Sequence, residues 1–405
     1  MPFIMIVVLL DMLSIGLIVP VLPALVGQFT ADPSEQTHWY GVVTFSFALA
    51  SFFGAPLLGA LSDRFGRRKV LLIGFCGLAI NFFATAMASA LWMLIGARIV
   101  GGVTQANAAV ANAYVADITP PEQRARRFGL LGAMFGIGFI LGPVMGGLLG
   151  GIDLRLPFWV AGGLTLLNFV YGVFVLPESL PAEKRRAVTW RAANPLASLK
   201  ALTQLRDIGP LVMVLALSGL AQFTLYTTWV LHNSFKFGWG PTENGWSLFV
   251  VGVVSAVVQG GLMGRLLKVF PARRLALLGL ASSALAYLGW GAATAGWVMY
   301  VVIVANVLGN TVAAAMNSIV SAAADATEQG GTMGSLSALN SAMAVVAPML
   351  AAPLLGMVSH LPQGDWRLGA PMFFCAALQT VALVLAWRHF RRSGLAQPAQ
   401  PLPAA

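Results

Sequence analysis

GALSDRFGRRKVLLIG, residues 59–74, lies without a gap on GRLLKVFPARRLALLG, residues 264–279, when the chain is slid along itself by 205 residues, from Gly59 to Gly264. Gly59 meets Gly264, Leu61 meets Leu266, Phe65 meets Phe270, Arg68 meets Arg273 and Gly74 meets Gly279. The same offset lays Gly129 on Gly334 and Pro143 on Pro348. Chance could give one such match, but hardly two at one offset. The chain therefore reads as two related halves, a parallel repeat whose axis runs along a membrane normal and whose interface holds the substrate site. The repeat is also informative where it fails. Asp63 becomes Lys268, Gly66 becomes Pro271, Gly142 becomes Ala347, and Gly146 and Gly147 become Ala351 and Ala352. The first half keeps the more specialised chemistry.

A membrane setting follows from composition. Of 405 residues, 58% are apolar and 9% are charged, against about 45–50% and 25% in an ordinary soluble domain. Apolar runs of about 20 residues, the length that crosses a bilayer, recur from end to end. They predict an all-α integral membrane fold of twelve transmembrane helices in two six-helix repeats. The N-terminal half is expected over 1–177, a charged linker with Pro181 and Pro195 over 178–207, the C-terminal half over 208–390 and a tail over 391–405. Four of the predicted runs are 2–26, 91–116, 208–233 and 296–322. Run 2–26 lacks the basic n-region and small-residue cleavage site of a signal peptide and reads as a helix. No Lys or Arg precedes it, which leaves open a natural start upstream of Met1.

The net charge of +10 is explained by where the cations sit. Even-numbered connections carry Arg64, Arg67, Arg68 and Lys69; Arg124, Arg126 and Arg127; Lys184, Arg185, Arg186, Arg191, Lys200 and Arg206; and Arg265, Lys268, Arg273 and Arg274. The tail adds Arg388, Arg391 and Arg392, whereas the odd connections hold only Arg155, Lys236 and Arg367. This is the positive-inside pattern, and it predicts both termini in the cytoplasm. A nucleic-acid partner would need one basic face on a folded domain, which this distribution argues against. Cys76 and Cys375 fall inside apolar runs and read as buried packing residues. No phosphate-binding GxxxxGK[ST] loop and no HExxH motif is present, so neither an ATP-driven pump nor a metalloprotease is indicated, and no cofactor is expected.

Two charged residues fall well inside the runs, Asp11 and Arg98. Either costs roughly 2.5–3.5 kcal/mol at the bilayer centre, so each should face a cavity or find a partner. Asp11 is the candidate proton carrier, because a carboxylate moved between a dry and a charged environment switches its protonation. Histidine competes poorly: His38, His232 and His360 fall in or beside outer connections, and His389 follows the last helix. The connection from Gly59 to Lys69 is the most specific signal, with glycines for a tight turn and cations that could pair with Asp117. Asp63 could instead face the positive end of a helix dipole. Gly138, Gly142, Gly146 and Gly150 recur every four residues, with Pro143 and Gly147 between them, a spacing that permits close helix contact. The amides Asn81, Asn107, Gln222, Gln259, Asn306 and Asn340 also lie in apolar runs, and a subset should line a cavity with Tyr226 and Trp229.

At these residues the sequence resembles the major facilitator superfamily, and within it the drug/proton antiporters. GALSDRFGRRK looks like that family's signature between helices two and three, ARIVGG (97–102) like its fourth-helix arginine motif, and GPVMGG (142–147) like its fifth-helix antiporter motif. LLDMLSIGLIVPVLP (9–23), SALWML (89–94) and WVLHNSFKFGW (229–239) are similar to the tetracycline/proton antiporters. The resemblance implies that Asp11 is the first-helix carboxylate implicated in coupling, with Arg98 as a second coupling residue. It implies a cytoplasmic gate of Gly59, Asp63, Gly66, Arg67, Arg68 and Asp117. It also implies export of amphiphilic, tetracycline-type drugs in exchange for protons across a bacterial inner membrane. The chain departs from the pattern at Asn81, where tetracycline exporters typically carry an acid, and at Ser255 and Ser283, where they carry a histidine and an acid. A divalent cation is then expected only as part of a chelated substrate. A metabolite importer, a multidrug exporter that does not carry tetracycline and a membrane enzyme are the competing readings.

Overall fold

A computed structural model describes residues 2–105, 107–185, 194–196, 209–323 and 329–394. Most of the linker expected over 178–207, and the tail from residue 395 on, lie outside these. The described residues form helices and no strands. That is what a lipid-embedded chain requires, since each backbone N–H and C=O must find its partner within the segment.

Among the described residues, twelve helical units can be followed. They are α1 (Pro2–Ile18), α2 (Pro33–Phe65), α3 (Arg67–Ala86), α4 (Leu91–Thr104 and Asn107–Asp117), α5 (Arg124–Ile152), α6 (Leu156–Val175) and α7 (Gly209–Phe237). Then come α8 (Pro241–Val269), α9 (Ala272–Ala292), α10 (Gly296–Ala305 and Leu308–Val320), α11 (Gln329–Gly356) and α12 (Ala370–Gly394). Nine are long and apolar enough to span a membrane, and the bent pair of α10, 49° apart, makes a tenth. The remaining two are α1, of 17 residues, and the broken α4. The repeat offset reappears in the helix starts: Arg67 and Ala272, Leu91 and Gly296, and Arg124 and Gln329 are each 205 residues apart.

Several expected boundaries are corrected. The run 2–26 is not one helix: α1 stops at Ile18 and a short helix, Leu22–Gly27, follows a turn, because Pro20 supplies no N–H and disfavours helix at Val19. The run 91–116 breaks after Thr104, beyond the low-propensity pair Gly101 and Gly102, and 296–322 breaks at Asn306. Helix α7 runs past 233 to Phe237, ended by Gly238 at φ +70°. Lys236 is therefore buried inside α7, its Nζ donating to the Gly291 carbonyl at 2.5 Å, and does not sit in an outer connection. His232 is likewise fully buried, 3.0 Å from the Leu368 carbonyl. Cys76 is exposed on its helix, not packed as expected, while Cys375 is buried.

Within the first half α1 packs on α5 and α6, α2 on α4, and α3 on α4 and α6. In the second half α12 packs on α7 and α9. The halves meet along two seams, α5 with α8 and α2 with α11. Both seams close at one end of the bundle, opposite to Arg64, Arg67 and Arg68. There Gly147 faces Gly245, Thr242 Oγ1 donates to the Gly147 carbonyl at 3.2 Å, and Gly41 abuts Ala352. The hydrophobic core at that end includes Leu231 and Leu355 of the second half beside Leu17, Phe82 and Phe158 of the first. Toward the basic end, among the described residues, no atom comes within 4 Å of a Cβ placed at Gly129, Gly132 or Gly136 of α5, or at Gly260, Gly261 or Gly264 of α8. Among the described residues, the bundle is joined at one end and parted at the other.

Candidate functional site

The basic end of the first half holds a charge network built by the turn between α2 and α3. Gly66 ends α2 at φ +102°, a conformation open to glycine and costly for other residues. That turn brings Arg67, buried at the start of α3, back onto α2. Its Nη1 lies 2.6 Å from Asp63 Oδ1 and donates to Ser62 Oγ at 2.5 Å, while its Nε lies 3.1 Å from Asp117 Oδ2 at the end of α4. Arg68 donates to the Val173 carbonyl of α6. Gly59 contributes its carbonyl, which accepts from Ser62 Oγ at 2.7 Å.

The pairs differ in weight. Asp63 is half-exposed and meets Arg67 across the Gly66 turn, and an exposed pair of this kind is worth about 0.2–1 kcal/mol. Asp117 is better shielded and ties α3 to α4, so its loss should cost more. Arg67→Ala, which removes both pairs, is expected to leave the protein inserted but slow its cycling. Counterflow rates in proteoliposomes check this, and full wild-type rates would remove the gate assignment.

Glu178 was not foreseen at this site, because the sequence assigned it to the linker. Its Oε1 accepts from the backbone N–H groups of Arg67, Ser179 and Leu180 at 2.8, 3.0 and 3.1 Å, and its other oxygen stands where a Cβ on Gly66 would be. It is thus a carboxylate on the N-terminus of α3, the position where a helix favours an anion. The signal available in the sequence was its place directly after the last apolar run of the first half.

Asp11 is buried on α1, 3% exposed, and Oδ1 accepts from Asn107 Nδ2 at 2.9 Å. The break in α4 makes this contact, because Asn107 opens the second segment of that helix. Arg98 is also buried but lies elsewhere. Its guanidinium is 5.8 Å from the Phe47 ring centre, its electrostatic neighbour is Tyr40, and Nε and Nη2 have no partner among the described residues. The two charges form no ion pair among the described residues. Asn81 packs its amide against Gly101, and neither amide atom has a described partner.

A cavity of about 450 Å³ lies within the second half, lined from all six of its helices. Gln222, Tyr226, Trp229, Gln259, Asn306 and Asn340 line it, whereas Asn81 and Asn107, held on the α3–α4 seam and against Asp11, do not. Irregular backbone supplies three of the lining amides, as expected where a membrane helix borders a cavity, while Gln222 and Asn340 project from regular helix. Gln259 lies in a π-helical turn of α8, and Asn306 and Asn310 lie at the break in α10. Ser255 donates to Asn310 Oδ1 at 2.8 Å and Ser283 joins the wall. Trp229 and Trp290 meet edge to face at 5.2 Å. Among the described residues that line it, none carries a charge.

In α5, Gly142 packs on Gly16, Gly138 on Met12 and Leu13, and Gly146 on Leu17 of α1, while Pro143 and Gly147 face Gly245 of α8. The glycine run thus serves two seams, one within the first half and one between halves.

Comparison with known proteins gives this architecture a family. The profile of the Major Facilitator Superfamily matches residues 4–348, and a second match covers 211–403. The chain belongs to the Major Facilitator Superfamily. It is 38% identical over 367 residues to the tetracycline resistance protein, class C, of Escherichia coli, covering 90% of this chain and 92% of that one. It is 30% identical over 283 residues to multidrug resistance protein 2 of Bacillus subtilis (strain 168), covering 67% and 68%. Among solved structures, the human organic anion transporter MFSD10 superposes with a TM-score of 0.70 at 23% identity, covering 95% of this chain and 98% of that one. As a superfamily member similar to tetracycline resistance proteins, the chain is an integral membrane transporter and not an enzyme.

Proposed function

We propose that this protein exports amphiphilic drugs, tetracycline-type antibiotics first among them, in exchange for protons, by alternating access across a bacterial inner membrane. Positive charge selects the cytoplasmic side, so the basic, parted end faces the cytoplasm, and a drug enters the cavity from within. The observation that carries the reading is the cavity itself: aromatic faces with amide and hydroxyl groups and no charge suit an amphiphile whose polar groups are hydrogen-bonding rather than ionic. The identity to tetracycline resistance and multidrug resistance proteins supports drugs as the cargo. Asp11 is the proton carrier in this scheme, and Arg67 with Asp63 and Asp117 forms the gate on the cytoplasmic side. Cells expressing the protein should accumulate less tetracycline, and collapse of the proton gradient should abolish the difference. Increased accumulation would instead indicate an importer.

The wall chemistry favours a second reading for substrate range, that of a multidrug exporter. A divalent cation chelated to the drug finds Ser255 and Ser283 in the wall, with no carboxylate among the described lining residues. Transport should therefore depend weakly on magnesium and extend to amphiphiles that cannot chelate. Tight, strictly magnesium-dependent binding of tetracycline, measured by equilibrium dialysis, would contradict this.

A further inference from the structure

The internal repeat compares one anion position with its counterpart in the other half. In the first half, the N-terminus of α3 at Arg67 is occupied by the Glu178 carboxylate. The repeat carries Arg67 to Ala272, the first residue of α9. There Pro271 provides no side-chain cap, and the first turn holds no acid. Instead Arg273 and Arg274 stand in that turn, and α12, which packs along α9, ends beside them with Arg388, Arg391 and Arg392. The Arg273 guanidinium lies 5.8 Å from the ring centre of Phe390, and that of Arg391 lies 4.1 Å over Trp387, which is 44% exposed. Among the described residues of the second half the carboxylates are Glu243 and Asp365, which flank α7–α8 and α11–α12 connections at the opposite end.

We infer that the basic end of the α9–α12 seam is a binding site for the headgroup of an anionic phospholipid, whose phosphate takes the place that Glu178 holds in the first half. Trp387 is an amphipathic ring of the kind found at the headgroup level, so the site is positioned against lipid and not against bulk water. Basic pockets between transmembrane helices on the cytoplasmic side bind such headgroups. The phosphate would neutralise a group of arginines that the described protein leaves without acid partners, and would pin the second half at its parted end.

Native mass spectrometry of the detergent-purified protein, titrated with phosphatidylglycerol and with phosphatidylcholine, tests this. Wild type should retain phosphatidylglycerol preferentially. The double variant Arg273→Gln, Arg391→Gln should lose that preference, at roughly fivefold in affinity per cation removed. The corresponding lysine variants should keep most of it. Arg64→Gln, an equally basic-end change in the first half, should leave it intact. Thermal melting of each variant shows whether it is folded. Equal retention of both lipids by wild type, equal loss in Arg64→Gln, or displacement of the lipid by inorganic phosphate alone would overturn the assignment.

Discussion

Asp11→Asn is expected to abolish export of drug against a gradient while leaving drug binding and downhill exchange in place. Asparagine matches aspartate in shape, and its carbonyl oxygen can accept the same hydrogen bond from Asn107 Nδ2 that Asp11 accepts at 2.9 Å. The α1–α4 contact therefore survives, and what is lost is a group able to release a proton. The cavity in the second half contains no part of this pair, so binding has no reason to fail. Proton release on adding drug to the detergent-solubilised protein separates the two functions: wild type should acidify the medium and Asp11→Asn should not. Arg98→Ala should behave differently, because Arg98 lies over the Phe47 ring and forms no ion pair with Asp11 among the described residues. If Asp11→Asn still acidifies the medium and still pumps uphill, Asp11 is structural, and Asp117 becomes the next candidate carrier.

Much of this arrangement was legible in the sequence, and the parts that were not share a physical reason. The helical fold, the repeat and its 205-residue offset follow from apolar run length and from identities at fixed spacing, which the structure expresses as matched helix starts. The sequence offered eight candidates for a cavity, of which only a subset of the amides was expected to line it, and the six from the second half lie in its wall. Asn81 and Asn107 resemble the others in type and depth, and only packing separates an amide that faces a cavity from one that faces a neighbouring helix. The breaks in α4 and α10 and the π-helical turn in α8 were hidden for a related reason. Hydropathy registers that a segment is buried in lipid, but not that its backbone departs from the helix where protein or a cavity can satisfy it. Glu178 escaped because its meaning lies in a contact more than a hundred residues away in sequence, with the N–H of Arg67.

The second large effect is expected from α5, where glycines on one helix should fail in three distinguishable ways. At Gly146 any side chain runs into the Leu17 backbone, and at Gly142 a Cβ would stand 2.7 Å from Gly16 Cα. Both contacts lie inside the first half, so Gly146→Val should lower expression and melting temperature along with transport. Gly147 and Gly245 form the seam between halves. A Cβ at Gly147 would lie 2.6 Å from the Pro241 carbonyl oxygen, and one at Gly245 would lie 2.6 Å from that of Pro143. Gly147→Val should therefore leave each half folded but push the closed end apart, shifting the population toward the state open on the opposite side. Gly132 and Gly136 meet nothing within 4 Å among the described residues, and the cost of filling them arises only if the parted end must close. Gly136→Val should accordingly fold and bind drug normally, yet trap the protein with its basic end open. Alkylation of a cysteine introduced at Thr242, in a Cys76→Ser background, reads the closed seam directly. Labelling should rise in Gly147→Val and fall below wild type in Gly136→Val. Equal labelling in both, with both still transporting, would mean that α5 does not form the hinge seam between the halves.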